Sequence, residues 1–327
     1  MIIHIYNNYP NFEVTNHYLC VVCEAINKAG HNAKLVKDFA SIPKNEYVLV
    51  STATDFLRLY IKGFRHILLW QQGVMAEESF MRNHSKLRYK ILSAIDKFAI
   101  KKAKFIFLVS NAQKDYYEKK YNLSIDRYYI MPCYNDKLNP AAFENPEKYE
   151  RNVFSYVGSL AVWQCFEETV RLYKRIEDAV DNSELRVFTK SKEEAKRILT
   201  CYGVKHFTID CLPPEKLSEA LNEVKYGFVL RNDDPVNNVA TPTKFSSYLS
   251  AGVIPITTTA IKDFSNKVKG SDYACILNRI DDVDTIIKHM AVHIDRALIR
   301  DYYNEIFSTY YSDNYHIEQI GKRLSLE

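Results

Sequence analysis

Residues 237–256 read NNVATPTKFSSYLSAGVIPI, and the order of residue types in this run governs how the rest of the chain is read. A polar stretch gives way to Thr241 and Pro242, a threonine suited to cap a helix and a proline suited to a first helical position. Phe245, Tyr248 and Leu249 then recur at three- and four-residue spacing, which makes one apolar stripe on a short helix. Gly252 follows where a left-handed cap is wanted, and the apolar VIPI comes next as a buried strand. The unpaired N–H groups and positive dipole end at residues 242–245 attract anions, and Lys244 adds a full charge in the same turn. A diphosphate fits that place. An ordinary capped helix in an α/β domain fits the local pattern equally well.

The chain of 327 residues is about twice a typical domain, and 47% hydrophobic residues can fill more than one core. A net charge of +4 is mild and does not argue for a nucleic-acid partner. The seven cysteines, Cys20, Cys23, Cys133, Cys165, Cys201, Cys211 and Cys275, show no metal-ligand spacing and read as buried thiols of a reducing compartment. The opening MIIHIY is strand-like and lacks a charged, then apolar, leader pattern, and no apolar run is long enough to span a membrane. A cytoplasmic protein is the expectation.

Working outward, strands alternate with helices, the mark of parallel sheets with crossovers. Strands are expected at 2–6, 34–36, 47–51, 66–70 and 105–109, with helices at 15–29, 86–103 and 111–120. The polar, proline-bearing PAAFENPEKYER at 140–151 reads as a linker. VFSYVGSL then restarts the alternation, with a helix at 165–179, a strand at 185–189, a helix at 191–201, a strand at 206–210, a helix at 214–222 and a strand at 226–230.

The run at 237–256 resembles the nucleotide-sugar loop of GT-B glycosyltransferases, in the broad group related to the retaining family 4 enzymes of bacterial surface-polysaccharide synthesis. Pro242, Lys244, Phe245, Tyr248, Leu249, Gly252, Pro255 and Ile256 carry the likeness. Further segments resemble the same group in the same order: EAINKAGH at 24–31, LLWQQGVMAEES at 68–79, VSNAQKDYYEKKYNL at 109–123 and IMPCYND at 130–136. The sequence departs from the group at Ser247, where a ribose-binding glutamate is usual, at Val239, where a second glutamate falls, and at Ser159 and Gln164, where an arginine and a lysine are usual. The resemblance implies two facing Rossmann-like domains with a cleft between them, residues 1–145 for the acceptor and 146–305 for the donor. Residues 306–327, carrying YYSDNYHIEQIGKRL, then form a C-terminal helix that crosses back to the first domain.

In that reading the protein is a metal-independent, hexosyltransferase-like enzyme. It takes a UDP- or GDP-sugar as donor substrate, with no cofactor, and a glycan or lipid-diphosphate-linked acceptor, in capsular, O-antigen or exopolysaccharide synthesis. A retaining outcome follows from the resemblance alone. Breaking a sugar–phosphate bond develops negative charge on the leaving diphosphate, so cations near it lower the barrier. Lys244 and Arg231 are the candidates, Arg231 because it follows the apolar YGFVL at a strand's carboxyl end; an ion pair with Asp233 or Asp234 is its structural alternative. Lys190 is a weaker third. Gly158 and Ser159 offer close backbone approach, and Thr241, Pro242, Thr243 and Ser247 complete the donor set. On the acceptor side Glu77 or Glu78 is read as a base or as a helix cap, and His17 as a residue facing the cleft or a structural one.

Residues 82–104 are the other clear signal. Arg82, Lys86, Arg88, Lys90, Lys97, Lys101, Lys102 and Lys104 stand against one acid, Asp96, while Leu87, Ile91, Ile95, Phe98 and Ala99 form an apolar stripe. This basic amphipathic helix suits an anionic membrane surface, with peripheral location on the inner face of the cytoplasmic membrane; a solvated basic face over a buried stripe is the alternative. Two other classes compete with an enzyme: a GT-B protein without catalysis that serves as a scaffold, and a nucleic-acid binder, for which the run at 237–256 would be idle.

Overall fold

The computed structural model of the chain describes residues 1–7 and 13–324; residues 8–12, most of the loop after the first strand, and residues 325–327 lie outside the described residues. The chain divides into two compact units, one from residues 1–133, 239–241 and 308–327 and one from residues 134–238 and 242–307.

The first unit is a six-stranded parallel sheet of β1 (Ile2–Tyr6), β2 (Asn32–Val36), β3 (Tyr47–Val50), β4 (Ile67–Gln71), β5 (Phe105–Leu108) and β6 (Tyr128–Ile130), in the order β2-β1-β3-β4-β5-β6. Its inner strands, YVLV, ILLWQ and FIFL, are buried along their whole length, as a parallel sheet covered on both faces requires. The crossovers are α1 (Glu13–Lys28), α2 (Ala53–Ile61), α3 (Met75–Asn83), α4 (Lys86–Lys102) and α5 (Asn111–Tyr121).

The second unit is again parallel, with β7 (Val153–Val157), β8 (Glu184–Phe188), β9 (Phe207–Asp210), β10 (Tyr226–Val229), β11 (Ile254–Thr258) and β12 (Cys275–Leu277) in the order β12-β11-β10-β7-β8-β9. Its helices are α6 (Phe166–Ala179), α7 (Lys192–Cys201), α8 (Pro214–Leu221), α9 (Pro235–Val239), α10 (Lys244–Ser250), α11 (Lys262–Lys267), α12 (Val283–Met290) and α13 (Arg296–Ser308). The last helix, α14 (Asp313–Arg323), belongs to the first unit and packs along α1. There the Tyr129 hydroxyl and His316 Nδ1 hydrogen-bond at 2.7 Å, and burial pushes the His316 imidazole down to about 4.

The turn to the second unit comes at Cys133–Tyr134, so residues 140–151 lie within that unit instead of linking the two. Asn139 N–H donates to the Ser250 carbonyl (3.1 Å), Pro140–Phe143 forms a 3-10 turn, and Phe143, Lys148 and Tyr149 are buried. The polar composition misleads because Lys148 finds its partners inside: its ammonium donates to the carbonyls of Ala142 (3.5 Å), Leu221 (3.4 Å) and Ala251, the latter two at the C-terminal ends of α8 and α10, where unpaired carbonyls favour a cation. Gly252 takes the expected left-handed turn (φ +69°). A Cβ there would come within 3.0 Å of both Phe143 and Tyr149, so this glycine admits the segment's packing as well as its turn.

The cysteines are free but not uniformly buried: Cys165 and Cys275 are, whereas Cys20, Cys201 and Cys211 are exposed. Their helical or edge positions place them outward, where a thiol is tolerated without a partner.

The stripe read on α4 also divides. Ala99 is buried and Phe98 packs edge-on against Tyr60 (4.9 Å) and Phe56 (6.4 Å), but Leu87 is 71% exposed and Ile91 52%. Asp96 is fully buried beneath the helix, where Gln71 Nε2 donates to its Oδ1 (3.3 Å) and its Oδ2 has no hydrogen-bond partner. The outer face of α4 therefore carries cations and apolar tips with no acid among them. Burial raises the Asp96 carboxyl to about 7, with the Lys120 charge opposing that rise. A folded-state value above the ordinary carboxyl range means the native protein holds this proton more tightly than the unfolded chain. The stability it confers is thus full below about pH 4 and is lost as the pH rises through about 7, by an amount on the order of 4 kcal/mol. Asp96→Asn is expected to remove that loss and to be more stable than the parent at pH 8, read from denaturant unfolding of both proteins at pH 5 and pH 8.

Candidate functional site

In the second sheet β7 and β10 lie side by side, with Tyr226 opposite Phe154 and Phe228 opposite Tyr156, and the chain leaves them toward opposite edges. This is the point where strand order reverses, and ligands of open parallel sheets bind beyond the carboxyl ends of such strands. β7 ends into Gly158 and β10 ends into Leu230 and Arg231.

Arg231 turns back into the protein and is buried. Its Nη1 donates to the carbonyls of Leu230 (2.7 Å) and Gln164 (3.4 Å), and its Nη2 donates to Gln164 Oε1 (2.7 Å). Lys244, the first residue of α10, reaches the same place and donates to the same Gln164 Oε1, also at 2.7 Å, with its ammonium 4.4 Å from the centre of the Tyr156 ring. Gly158 makes the approach feasible. Its φ is +128°, and a Cβ there would lie 2.7 Å from Lys244 Cε.

Two buried cations thus share one neutral oxygen. The aspartates that could neutralise Arg231 are used elsewhere or point outward: Asp234 accepts from the Asn237 N–H (3.0 Å) and Nδ2 (2.6 Å), and Asp233 is exposed. Among the described residues no carboxylate forms an ion pair with either cation. Burial, and then the Arg231 charge, push the Lys244 ammonium well below the usual lysine range, and burial lowers Arg231 as well. The arrangement lacks an anion. A group with two or more negative oxygens would take the acceptor role that Gln164 Oε1 fills for both cations.

Sequence reading singled out both cations but not Gln164, whose position appeared as a missing lysine; the signal was that a polar side chain replaced it after the same glycine turn. It also misplaced the helix start. α10 opens at Lys244 with Thr243 already helical and no side-chain cap, and the Thr241 hydroxyl instead accepts from Cys133 N–H (3.0 Å). Pro242 precedes the helix rather than opening it. A helix of seven residues contributes its side chains here, not its dipole end. Ser159 is exposed, and its carbonyl accepts from the Tyr156 hydroxyl (2.6 Å); Lys190 is exposed beyond β8, away from the Arg231–Lys244 pair's hydrogen bonds. Ser247 Oγ donates to Asp136 Oδ2 at 2.6 Å.

The first-unit candidates are all engaged locally. Glu77 is buried, accepts from the Tyr116 hydroxyl (2.6 Å) and pairs with Lys120. Glu78 accepts from Val74 N–H (3.2 Å) at the start of α3 and lies 3.7 Å from Arg82, so it serves the helix start, where a carboxylate meets unpaired N–H groups. His17 Nε2 is 3.1 Å from Asp313 Oδ1, which ties α1 to α14. Among the described residues no three His, Cys, Asp or Glu side chains gather in a way that could hold a metal ion, and no helix is long and apolar enough to cross a membrane.

An anion placed between Arg231 and Lys244 raises the lysine back toward its ordinary range. Binding of an anion there is therefore expected to draw a proton onto Lys244 at pH values between the lowered and the ordinary lysine range, so that the calorimetric enthalpy of pyrophosphate binding varies with the ionisation enthalpy of the buffer. Lys244→Met should remove the lysine's share of that buffer dependence and leave only the share from pyrophosphate's own ionisation.

In sequence the chain matches no family model and no curated protein. In structure it is similar to a sucrose-phosphate synthase from Thermosynechococcus elongatus (12% identity, TM-score 0.69, 98% of each chain covered). It is similar also to the lipopolysaccharide outer core galactosyltransferase WaaB (13%, 0.69, 98% of each chain) and to the Anabaena protein HepE solved with UDP and glucose (10%, 0.69, 99% of each chain). At these identities the likeness is one of fold, and the fold is that of the GT-B glycosyltransferases: two parallel, Rossmann-like sheets in one chain.

Proposed function

We propose that this protein is a glycosyltransferase that uses a nucleotide-sugar donor and holds the donor's diphosphate on Arg231 and Lys244. The single observation that carries this reading is the buried cation pair without a carboxylate, set at the switch point of the second sheet. Cleavage of the sugar–phosphate bond leaves a diphosphate whose added charge two preformed cations in a dry site stabilise more strongly than water does. The Gly158 turn lets the backbone approach the same group, and Ser159 and Thr243 flank it. That HepE binds UDP within the same fold supports a uridine nucleotide as one candidate donor, with guanosine as the other.

On the resemblance of its sequence to surface-polysaccharide enzymes, we take the acceptor to be a glycan or a lipid-diphosphate-linked sugar and the outcome to be retention. In a retaining transfer the leaving phosphate oxygen can receive the acceptor proton, which suits a first unit whose Glu77 and Glu78 already have partners. The exposed Leu87 and Ile91 among Lys86, Arg88, Lys90 and Lys97 support docking of α4 on an anionic membrane surface, since a nucleic-acid partner would use the charges and leave the apolar tips in water.

Calorimetry against UDP-, GDP- and CDP-sugars tests the first reading. Binding to at least one is expected, and binding to none would leave a scaffold of this fold as the better account. Lys244→Met should reduce turnover about a hundred- to a thousandfold. Its unfolding midpoint should match or exceed the parent's, because the substitution removes a buried amine that has no carboxylate partner. Full turnover in this variant removes Lys244 from the mechanism. For the membrane, the protein should co-sediment with vesicles containing anionic phospholipid and not with neutral ones, and the pair Leu87→Glu and Ile91→Glu should abolish it; equal binding by that variant, or preference for RNA over vesicles, counts against the docking.

A further inference from the structure

Beneath α4, three helices of the first unit turn polar side chains toward one spot. Lys120 of α5 stands at its centre: its ammonium pairs with Glu77 Oε1 of α3 and lies 4.9 Å from the ring centres of both Tyr89 and Tyr121. Asp96 of α4 is close enough to feel both charges. Burial raises its carboxyl, the Lys120 charge and the Gln71 bond oppose that rise, and the Glu77 charge adds to it. Burial, then the Asp96 and Glu77 charges, likewise raise the Tyr121 hydroxyl. Four oxygens of this cluster are closed to solvent and have no hydrogen-bond partner among the described residues: Asp96 Oδ2, Glu77 Oε2, Ser93 Oγ and the Tyr121 hydroxyl. Asp96 is 0% exposed and Glu77 8%. Since Glu77 and Lys120 cancel, an ionised Asp96 leaves one negative charge in excess. The remaining neighbours do not change that sum. Gln71 of β4 is neutral, Ala76 of α3 offers only its backbone N–H, and the Tyr117 hydroxyl of α5 is given to the Gly73 carbonyl (2.9 Å). Asp55 and Arg58 of α2, the other helix packed on α4, pair with each other at 3.0 Å.

We propose that a monovalent alkali cation binds in this cluster, on Asp96 Oδ2 and Glu77 Oε2, with the hydroxyl oxygens of Ser93 and Tyr121 completing its shell. The donors are all oxygens, which suits a hard cation. One excess negative charge calls for one positive charge, and a divalent ion would leave the spot positive. A water molecule could donate to both carboxylates but would leave their charge unmatched in a place where an unpaired charge is strongly disfavoured. The proton is the competitor: on Asp96 it cancels the same charge and occupies the same oxygen. The cation therefore binds as the pH rises through about 7 and is displaced as it falls. Its role is structural. It joins α3, α4 and α5 beneath the turn after β4, whose Gly73 carbonyl accepts from Gln113 Nε2 (2.8 Å) and Tyr117, and it offsets part of the stability that ionised Asp96 removes.

Denaturant unfolding of the full chain tests this in sodium, potassium and choline chloride at equal ionic strength, at pH 8 and at pH 5. At pH 8 the folding constant should be larger in sodium or potassium chloride than in choline chloride, by about tenfold when the ion stands at ten times its dissociation constant. At pH 5 the three salts should coincide. Asp96→Asn should make them coincide at pH 8 as well, while Ser93→Ala, which keeps both carboxylates, should lower the apparent affinity for the ion about two- to tenfold. Equal stability of the parent in all three salts at pH 8 overturns the site, and so does an alkali preference that persists in Asp96→Asn or is undiminished at pH 5. A crystal of the parent soaked in rubidium chloride at pH 8 gives a direct reading that needs no variant. An anomalous peak between Asp96 and Glu77 is expected, and its absence there overturns the assignment.

Discussion

Two cations buried against one neutral oxygen set the terms for the second unit. Arg231 and Lys244 lie in a region where like charges repel strongly and where removal from water is unfavourable for each. The contrast with Lys148, only a few residues away in space from the end of α10, shows that this unit can bury a lysine without leaving it in want of an anion. Lys148 donates to three carbonyls, two of them at helix C-terminal ends. Lys244 has a single amide oxygen and the face of a tyrosine ring. Burial lowers the proton affinity of both, Lys148 to about 7, but only Lys244 has a second cation as a cause. The first is a structural pin; the second is the one proposed to meet a ligand.

The sheets were legible in the sequence because parallel strands buried on both faces must be continuous apolar runs, as FIFL at 105–108 and YGFV at 226–229 are. Arg231 was legible for a related reason: a charge that follows such a run without a break lands at a strand's carboxyl end. What remained hidden depends on partners far along the chain. Nothing local tells that Asp96 faces the sheet instead of solvent, because its helical position is compatible with either until Gln71 is placed beneath it. Nothing local tells that PAAFENPEKYER is packed, because two of the three acceptors of Lys148 are the carbonyls of Leu221 and Ala251, far along the chain. Composition reports whether a segment is polar, but not whether the fold supplies its polar groups with partners.

Ser247 shows the same limit. Taken alone it is a small polar residue on a helix that is otherwise buried. The fold brings a carboxylate to that place through Asp136, because residues 134–139 run along α10 and tie to it at Ser246, Ser247 and Ser250. Two segments far apart in sequence are neighbours in space.

Gln164 gives the site its direction. Its Oε1 holds both cations in position without charge, so a phosphate oxygen that replaced it would bring a stronger attraction to the same two donors. A carboxylate in that role would have satisfied the cations permanently, and binding would then have had to break an ion pair. A neutral acceptor keeps Arg231 and Lys244 oriented and leaves their charge unmatched. In the proposed reaction a diphosphate would meet that unmatched charge, and the more so as negative charge grows on it during departure. On that proposal the interaction would be stronger in the transition state than in the ground state, which is the condition under which a binding group accelerates a reaction.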